Sequence, residues 1–367
     1  MKNKKKIGAN VMTGYAEFTL AVIQAAPVYF DREASTEKAC HLIEEAAQTG
    51  ADFAAFSETW LPGYPFFYPY PIHSPLWSQA VAAYLSNGVE IPSPTTDRLC
   101  KAAHRAGIDV AIGLVELDAR TRGTVYCTLL FIGREGRILG RHRKLKPTLA
   151  ERMLWGEGDG VGLAVYDRYY GRISGLSCGE HTMLLPAYAL MAQGTQIHVA
   201  AWPFTKHISD SSPVNGLLMS RAFAAQGNCF VMAVGSLLRP DDVPEAHRDL
   251  VRERGYGNDE GGSCIIAPGG NVIATAPANE ETILTASVTL EVVLQHKAVI
   301  DVGAHYSRPD VLQLHVDRRP LERMVDGSRS GSIEPVGVAS GANASLGTDQ
   351  SVGGSKQQAE TKDTEGP

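Results

Sequence analysis

Cys178 is the residue of this sequence best suited to nucleophilic chemistry. It follows the stretch Gly171–Ser177, whose apolar pattern predicts a buried strand, and small or polar residues come directly after it. The backbone is expected to turn at the cysteine, so that the N–H of Gly179 can point toward a group bound to the sulfur. A thiol beside a free backbone donor is one half of an acyl-transfer site. The partners must come from elsewhere, because the only acid, base or cation before Cys178 in this stretch is Arg172.

Glu58 is a candidate general base. It ends the predicted strand Ala51–Ser57, and four aromatic residues follow it: Trp60, Tyr64, Phe66 and Phe67. A carboxylate among such residues is poorly solvated, and loss of solvation raises its pKa into the range that suits a base. A strand-end carboxylate that only caps a loop is the alternative interpretation.

Lys144 is a candidate for stabilising negative charge. It lies in the basic run Gly140–Pro147, which follows a predicted strand and is closed by a proline. Such a run is usually a solvated surface, but one lysine turned inward beside a thiolate would stabilise charge that develops on a substrate. Glu151 would supply the counter-charge; alternatively, it is an ordinary acid at a helix start.

Four residues are candidates for the wall of a substrate pocket: Trp60, Tyr64, His181 and Trp202. His181 stands near the cysteine and could carry a proton, line the pocket or be a satisfied buried histidine. Trp202 ends a predicted strand before Pro203. Core packing is an equally good interpretation for this tryptophan.

Strands and helices alternate along the chain. Phe18–Ala26 is predicted to be a strand, followed by a helix that Ser35 caps and Gly50 ends, and then by the strand at Ala51. Hairpin turns are predicted at Arg134–Arg137 and Pro268–Asn271. Further strands are predicted at Asp109–Leu117, Val125–Gly133, Ile138–His142, Gly171–Ser177, Gln196–Trp202, Cys229–Ser236, Gly262–Ala267 and Ile283–Val288. This mixture predicts an α/β protein with a mixed sheet, or two sheets packed together.

The chain divides into three parts by composition. Residues 1–17 are expected to be a flexible N-terminal extension, and residues 18–324 a single domain. Residues 325–367 contain no aromatic side chain and are rich in Gly and Ser. A segment of this composition cannot bury enough apolar surface to order itself, so we expect a disordered tail.

Composition restricts the class of protein. The 367 residues are 44% hydrophobic and carry a net charge of -6, which argues against a nucleic-acid-binding surface. No apolar segment of signal-peptide or membrane-spanning type is seen, and the 6 cysteines show no CxxC pair. We therefore expect a cytoplasmic protein without a membrane partner, a structural metal or a disulfide framework.

The candidate residues lie in sequence contexts that together resemble the nitrilase branch of the carbon–nitrogen hydrolase superfamily. The resemblance runs from about Phe18 to Pro320. Its motifs are Phe56-Ser-Glu58 with Pro62–Pro65, His142–Thr148, Glu151-Arg152 with Trp155–Gly160, Cys178-Gly-Glu-His181 and His305–Val311.

The resemblance implies a single-domain, four-layer α-β-β-α sandwich. It also implies a Glu58–Lys144–Cys178 triad supported by Glu151, with no metal or organic cofactor. Homo-oligomers are expected, as dimers that build into larger spirals. Many nitrilases carry tryptophan directly after the cysteine, so Gly179 implies a roomier pocket beside the sulfur.

The function that follows is hydrolysis of an organic nitrile to the carboxylic acid and ammonia, with arylacetonitriles preferred. An amidase, a hydratase that releases amide or a cyanide-converting enzyme would use the same residues. A catalytically silent scaffold on this fold is the alternative from another class of protein.

Overall fold

The computed structural model describes residues 14–209, 215–257, 261–322 and 324. The strands of this part of the chain are β1 (Phe18–Gln24), β2 (Phe53–Ala55), β3 (Asp109–Leu117), β4 (Val125–Gly133), β5 (Arg137–Arg143), β6 (Tyr166–Arg168), β7 (Gly171–Ser177), β8 (Ile197–Phe204), β9 (Phe230–Ser236), β10 (Cys264–Ile266), β11 (Val272–Thr275) and β12 (Thr282–Val288). The helices are α1 (Arg32–Gln48), α2 (Pro75–Ser86), α3 (Pro94–Ala106), α4 (Leu184–Met191), α5 (Gly216–Gly227), α6 (Arg248–Glu253) and α7 (Leu290–Lys297).

The strands form two mixed sheets of six strands each. The first sheet has the order β12-β1-β2-β3-β4-β5, and the second has the order β11-β10-β9-β8-β7-β6. In the first sheet β1, β2 and β3 run parallel, and in the second β7, β8 and β9 do. The carboxyl ends of neighbouring parallel strands meet at one edge of a sheet, which is where open α/β sheets place their ligands.

The sheets pack face to face and are covered by helices. Side chains from both sheets share one buried apolar layer, which includes Leu20, Phe53, Leu129, Ile173, Val199 and Met232. On the outer face of the first sheet, α1 and α3 bury their own apolar residues. On the outer face of the second sheet, α4 and α5 do the same. The predicted α-β-β-α sandwich is confirmed.

Most predicted elements are present, and several bounds agree. β3, β4 and β7 begin and end at the predicted residues, and both predicted hairpin turns join antiparallel strands. The predicted cap of α1 is wrong. The helix begins at Arg32, and the Asp31 carboxylate accepts the backbone N–H of Ala34. Ser35 lies inside the helix, where its hydroxyl bonds the backbone of Val28 instead.

The predicted terminal segments fall mostly outside the described residues. Residues 1–13 of the extension and residues 325–367 of the tail are not described, and residues 14–17 are irregular and exposed. The domain bounds therefore stay a prediction. None of the helices in the described ranges combines the length and the apolar character that a membrane crossing requires.

Gly113 allows the chain after β2 to pass close to β3. A Cβ atom at this position would lie 2.1 Å from the carbonyl oxygen of Ser57 and 2.5 Å from the backbone nitrogen of Thr59. Both distances are well inside van der Waals contact, and both contacts are to backbone, which cannot rotate away. The residue between these two positions is Glu58.

We predict that Gly113→Ala destabilises the protein by about 1–3 kcal/mol, because the methyl group must displace backbone in a packed core. Denaturant unfolding followed by circular dichroism measures this change. Gly123→Ala is the matched control, since the nearest atom to its Cβ would be 3.9 Å away. Equal stability of the two variants would contradict the close approach at Gly113.

Candidate active site

Glu58 lies between the two sheets, just beyond the carboxyl end of β2. Its backbone N–H donates to the carbonyl oxygen of Trp202 in β8, at 3.2 Å. This bond ties the first sheet to the second at the position of the carboxylate. The side chain is 1% exposed, so the carboxylate has almost no contact with water.

Lys144 joins the two glutamates predicted to be its partners. It directly follows β5, and its ammonium Nζ lies 2.6 Å from Oε1 of Glu58 and 2.8 Å from Oε2 of Glu151. Glu151 sits in the 3₁₀ turn Leu149–Met153 and also accepts the Tyr64 hydroxyl at 2.9 Å. Of the predicted alternatives for the basic run, the structure shows the inward one for Lys144, which is 1% exposed.

Cys178 completes this cluster. It is the first residue of the 3₁₀ turn Cys178–Thr182, directly after β7, and its φ of 46° is in the left-handed region that a non-glycine residue seldom adopts. Its Sγ atom and carboxylate oxygens of Glu58 and Glu151 all lie within 4.8 Å of one another. The structure thus brings together four side chains from three well-separated segments of the sequence.

Burial and charge set the protonation of this cluster. Burial raises the pKa of the Glu58 carboxyl to about 7, although the Lys144 ammonium acts in the opposite direction. Burial likewise raises the pKa of the Cys178 thiol well above its ordinary value. Burial by itself would lower the pKa of Lys144, but the negative groups around it, Glu58 first, raise it well above its ordinary value. A neutral thiol therefore lies beside a charged lysine and a carboxyl group that can accept a proton.

The two oxygens of the Glu58 carboxylate differ. Oε1 accepts from Lys144 and also from the thiol of Cys127, whose Sγ is 3.3 Å away. Oε2 is buried, and no donor in the described part of the chain reaches it. One oxygen is therefore held in place, and the other is available to a proton.

The ligand-type atoms of Glu58, Glu151 and Cys178 are close enough to hold a metal ion. However, the ammonium of Lys144 donates to both carboxylates. A cationic group of the chain already compensates the charge between them.

The four predicted pocket residues lie in two places. Tyr64 contacts Glu151, and the indole of Trp202 stacks on the His181 ring with centroids 5.3 Å apart. Trp60 instead lies in the apolar layer between the first sheet and its covering helices, where it donates to the carbonyl oxygen of Ala25. Tyr64 and His181 thus contact residues of the four-residue cluster and Trp202 packs on His181, whereas the contacts of Trp60 are those of core packing.

His181 is fixed by a chain of buried hydrogen bonds. Its Nδ1 lies 2.9 Å from the Cys178 carbonyl oxygen and must donate, because a carbonyl only accepts. Its Nε2 then accepts from Nε2 of His198, at 3.1 Å. Burial lowers the pKa of His181 to about 4 and also lowers that of His198. Since the peptide is planar, this bond to the carbonyl also fixes the direction of the Gly179 N–H.

Gly179 does not border open space on its side-chain face. A Cβ atom there would lie 2.8 Å from Oγ1 of Thr148. The space directly beside the glycine is therefore filled by the threonine hydroxyl. Whether the pocket beside the sulfur is roomier than with a tryptophan at this position stays a prediction.

Glu180 connects the segments that carry the lysine and the cysteine, a role that the sequence analysis did not assign. Its buried carboxylate accepts the N–H of Leu145 at 2.8 Å and that of Ser177 at 2.9 Å, and it pairs with His142. Leu145 follows Lys144, and Ser177 precedes Cys178. The pattern Ser177-Cys-Gly-Glu180 is a capping box, a signal that the sequence does contain.

Comparison with known proteins identifies the family. Residues 19–298 match the model of the carbon-nitrogen hydrolase family. The chain is 52% identical to "Nitrilase 2" of an unknown prokaryotic organism, over 89% of this chain and 100% of that protein. It is 37% identical to an aliphatic nitrilase of Rhodococcus rhodochrous, over 82% of this chain and 83% of that protein.

A solved structure supports the same fold. Nit3 of Saccharomyces cerevisiae, a member of branch 10 of the nitrilase superfamily, has a TM-score of 0.62 to this chain. It is 19% identical and covers 79% of this chain and 96% of its own. With the sandwich, the buried cluster at Cys178 and these relatives in place, the chain belongs to the nitrilase branch of the carbon–nitrogen hydrolase family.

Proposed function

We propose that this protein is a nitrilase that converts an organic nitrile and two waters into a carboxylic acid and ammonia. The observation that carries the proposal is the meeting of a neutral thiol, a buried carboxyl group with a pKa of about 7 and a buried ammonium. The nitrilase relatives support the same reaction class.

In the first step Glu58 accepts the proton of Cys178, and the sulfur attacks the nitrile carbon. A C–S bond forms, one π bond of the C≡N group opens, and the nitrogen takes up the proton from Glu58, which is then a carboxylate again. The product is a thioimidate bound to Cys178. Glu58 is suited to this transfer because its Oε2 has no competing donor.

In the second step Glu58 removes a proton from water, which attacks the thioimidate carbon. Lys144 and the N–H of Gly179 stabilise the tetrahedral adduct. Both protons of this water pass to the nitrogen, the C–N bond breaks and ammonia leaves, so that a thioester remains. A second water then breaks the C–S bond, releases the acid and returns the proton to the sulfur.

Glu151 acts on Lys144 in this scheme. One of its oxygens holds the ammonium, and the other accepts from Tyr64. The ammonium of Lys144 is thereby fixed between two carboxylates. Its position therefore does not depend on whether substrate is bound. All proposed steps use groups of the chain itself.

The substrate class we propose is arylacetonitriles or similarly flexible nitriles. The support is the set of rings around the cluster, from Tyr64, His181 and Trp202. Such rings favour a flat apolar group next to the reacting carbon. Preference for aliphatic nitriles, as in the name of the Rhodococcus relative, is the competing outcome.

We also propose a cytoplasmic location and a homo-oligomer. All of the cysteines are free thiols, which suits a reducing compartment. Leu184 and Leu185 at the start of α4 and Leu218 on α5 are more than half exposed, and a second copy of the chain would bury them.

Ammonia release from aliphatic, benzylic and aromatic nitriles, with the matching amides, tests the proposed reaction. We predict acid and ammonia in equal amounts from benzylic nitriles. Cys178→Ala should abolish turnover, and Cys178→Ser should be nearly inactive because a hydroxyl does not form an anion easily. Amide as the main product would instead make the enzyme a hydratase, and ammonia from amides alone an amidase. Full activity of Cys178→Ala would remove the sulfur as nucleophile.

The pKa of Glu58 predicts how activity depends on pH. The base works as the carboxylate, and its pKa is about 7, so kcat/KM should be constant above that pH and fall below it. The slope should be about tenfold per pH unit on the acidic side. Steady-state kinetics from pH 5 to 9 measure it, with circular dichroism as the check on folding. A plateau that extends to pH 5 would show that another group is the base.

Glu180 should affect rate rather than binding, because it positions Lys144 and Cys178 without facing substrate. We predict that Glu180→Gln lowers kcat about a hundredfold, since small displacements of reacting groups have effects of this size. KM should change little. Glu37→Gln, at an exposed site on α1, is the control. A folded Glu180→Gln variant with native kcat would refute the positioning role.

A further inference from the structure

Cys127 is a buried thiol that the proposed reaction does not use. It lies in β4, is 1% exposed and donates to Oε1 of Glu58. We propose that Cys127 is a positioning residue for the general base: together with Lys144 it holds Oε1, so that Oε2 is the oxygen that exchanges protons. This inference rests on the proposed role of Glu58 as base.

The geometry makes the two donors act as a pair. Lys144 follows β5, which is hydrogen-bonded to β4, and its backbone N–H donates to the carbonyl oxygen of Cys127 at 2.8 Å. The ammonium and the thiol therefore approach the carboxylate from adjoining backbone. Rotation of the Glu58 carboxylate would break both bonds to Oε1, at 2.6 and 3.3 Å. The two contacts hold the carboxylate in one orientation.

A thiol suits this position because it is a weak donor. The Lys144 ammonium already donates to Oε1, and a second strong donor there would stabilise the carboxylate further and make it a poorer base. Burial, and after it the negative charge of Glu58, raise the pKa of Cys127 well above its ordinary value, so that it keeps the proton it donates. The thiol thus orients Glu58 with little loss of basicity.

Several other groups also affect the pKa of the Glu58 carboxylate, so the test of Cys127 must leave these groups unchanged. Lys144 faces Glu58 from the end of β5, and Glu151 from the 3₁₀ turn after it. Further titratable groups that interact with it in the described part of the chain are Cys178, Tyr64 and Tyr84. None of these is altered by a substitution in β4.

The test compares Cys127→Ser with Cys127→Ala, which are similar in size and differ in the donor. The measurement is the rate of Cys178 alkylation by iodoacetamide across pH, located by peptide mass spectrometry. Because Glu58 accepts the proton of Cys178, the pH midpoint of the alkylation rate should follow the pKa of Glu58. We expect this midpoint to fall by about half a pH unit in Cys127→Ser, since a hydroxyl is the stronger donor to the carboxylate. It should rise by about half a unit in Cys127→Ala, which has no donor. Cys229→Ala, at a buried thiol directly before β9, should keep the native midpoint.

Unchanged midpoints, or equal shifts in one direction, would show that Cys127 only fills space and would overturn the inference. If Cys127→Ala does not fold, the sign of the shift in Cys127→Ser decides alone. Alkylation needs no substrate, so the result is independent of whether the enzyme hydrolyses nitriles. If the two Cys127 variants shift the midpoint in opposite directions but the native enzyme does not hydrolyse nitriles, the proposed reaction is refuted and the role of Cys127 stands.

Discussion

The buried ion cluster around Lys144 is the constraint on which the site depends. An ammonium out of water is stable only if fixed negative groups surround it, and here Glu58 and Glu151 both bond it directly. The same burial that makes the cluster costly to assemble raises the pKa of Glu58 and of Cys178. Desolvation therefore produces both a base near neutrality and a thiol that needs one.

The two-sheet architecture brings this cluster together. Glu58 and Lys144 follow strands of the first sheet, whereas Cys178 follows a strand of the second. Contacts that join the sheets at this edge include the Glu58 N–H on the carbonyl of Trp202 and the Glu180 carboxylate, which bonds Leu145, Ser177 and His142. The distance from sulfur to lysine is thus set by backbone hydrogen bonds rather than by flexible side chains alone.

Local pattern was a good guide to the strands, and it selected four side chains that the structure brings together. The apolar runs gave β3, β4 and β7 their bounds, because a strand buried on both faces is apolar throughout. Local pattern could not place Trp60, because an aromatic residue two positions after Glu58 is as compatible with a core layer as with a substrate pocket. The surroundings of Gly179 are a related case, since only the folded chain shows that Thr148 stands beside it.

By itself the sequence determined the family, the alternation of strands and helices, and which four side chains have the chemistry for the reaction. Each of these is carried by residue type and short-range spacing. The tertiary structure alone decided that Oε1 of Glu58 is held while no donor of the described residues reaches Oε2, that Cys127 contacts Glu58, and that His198 bonds His181. These facts join residues from different strands, and their distances depend on how two sheets pack, which no local pattern encodes.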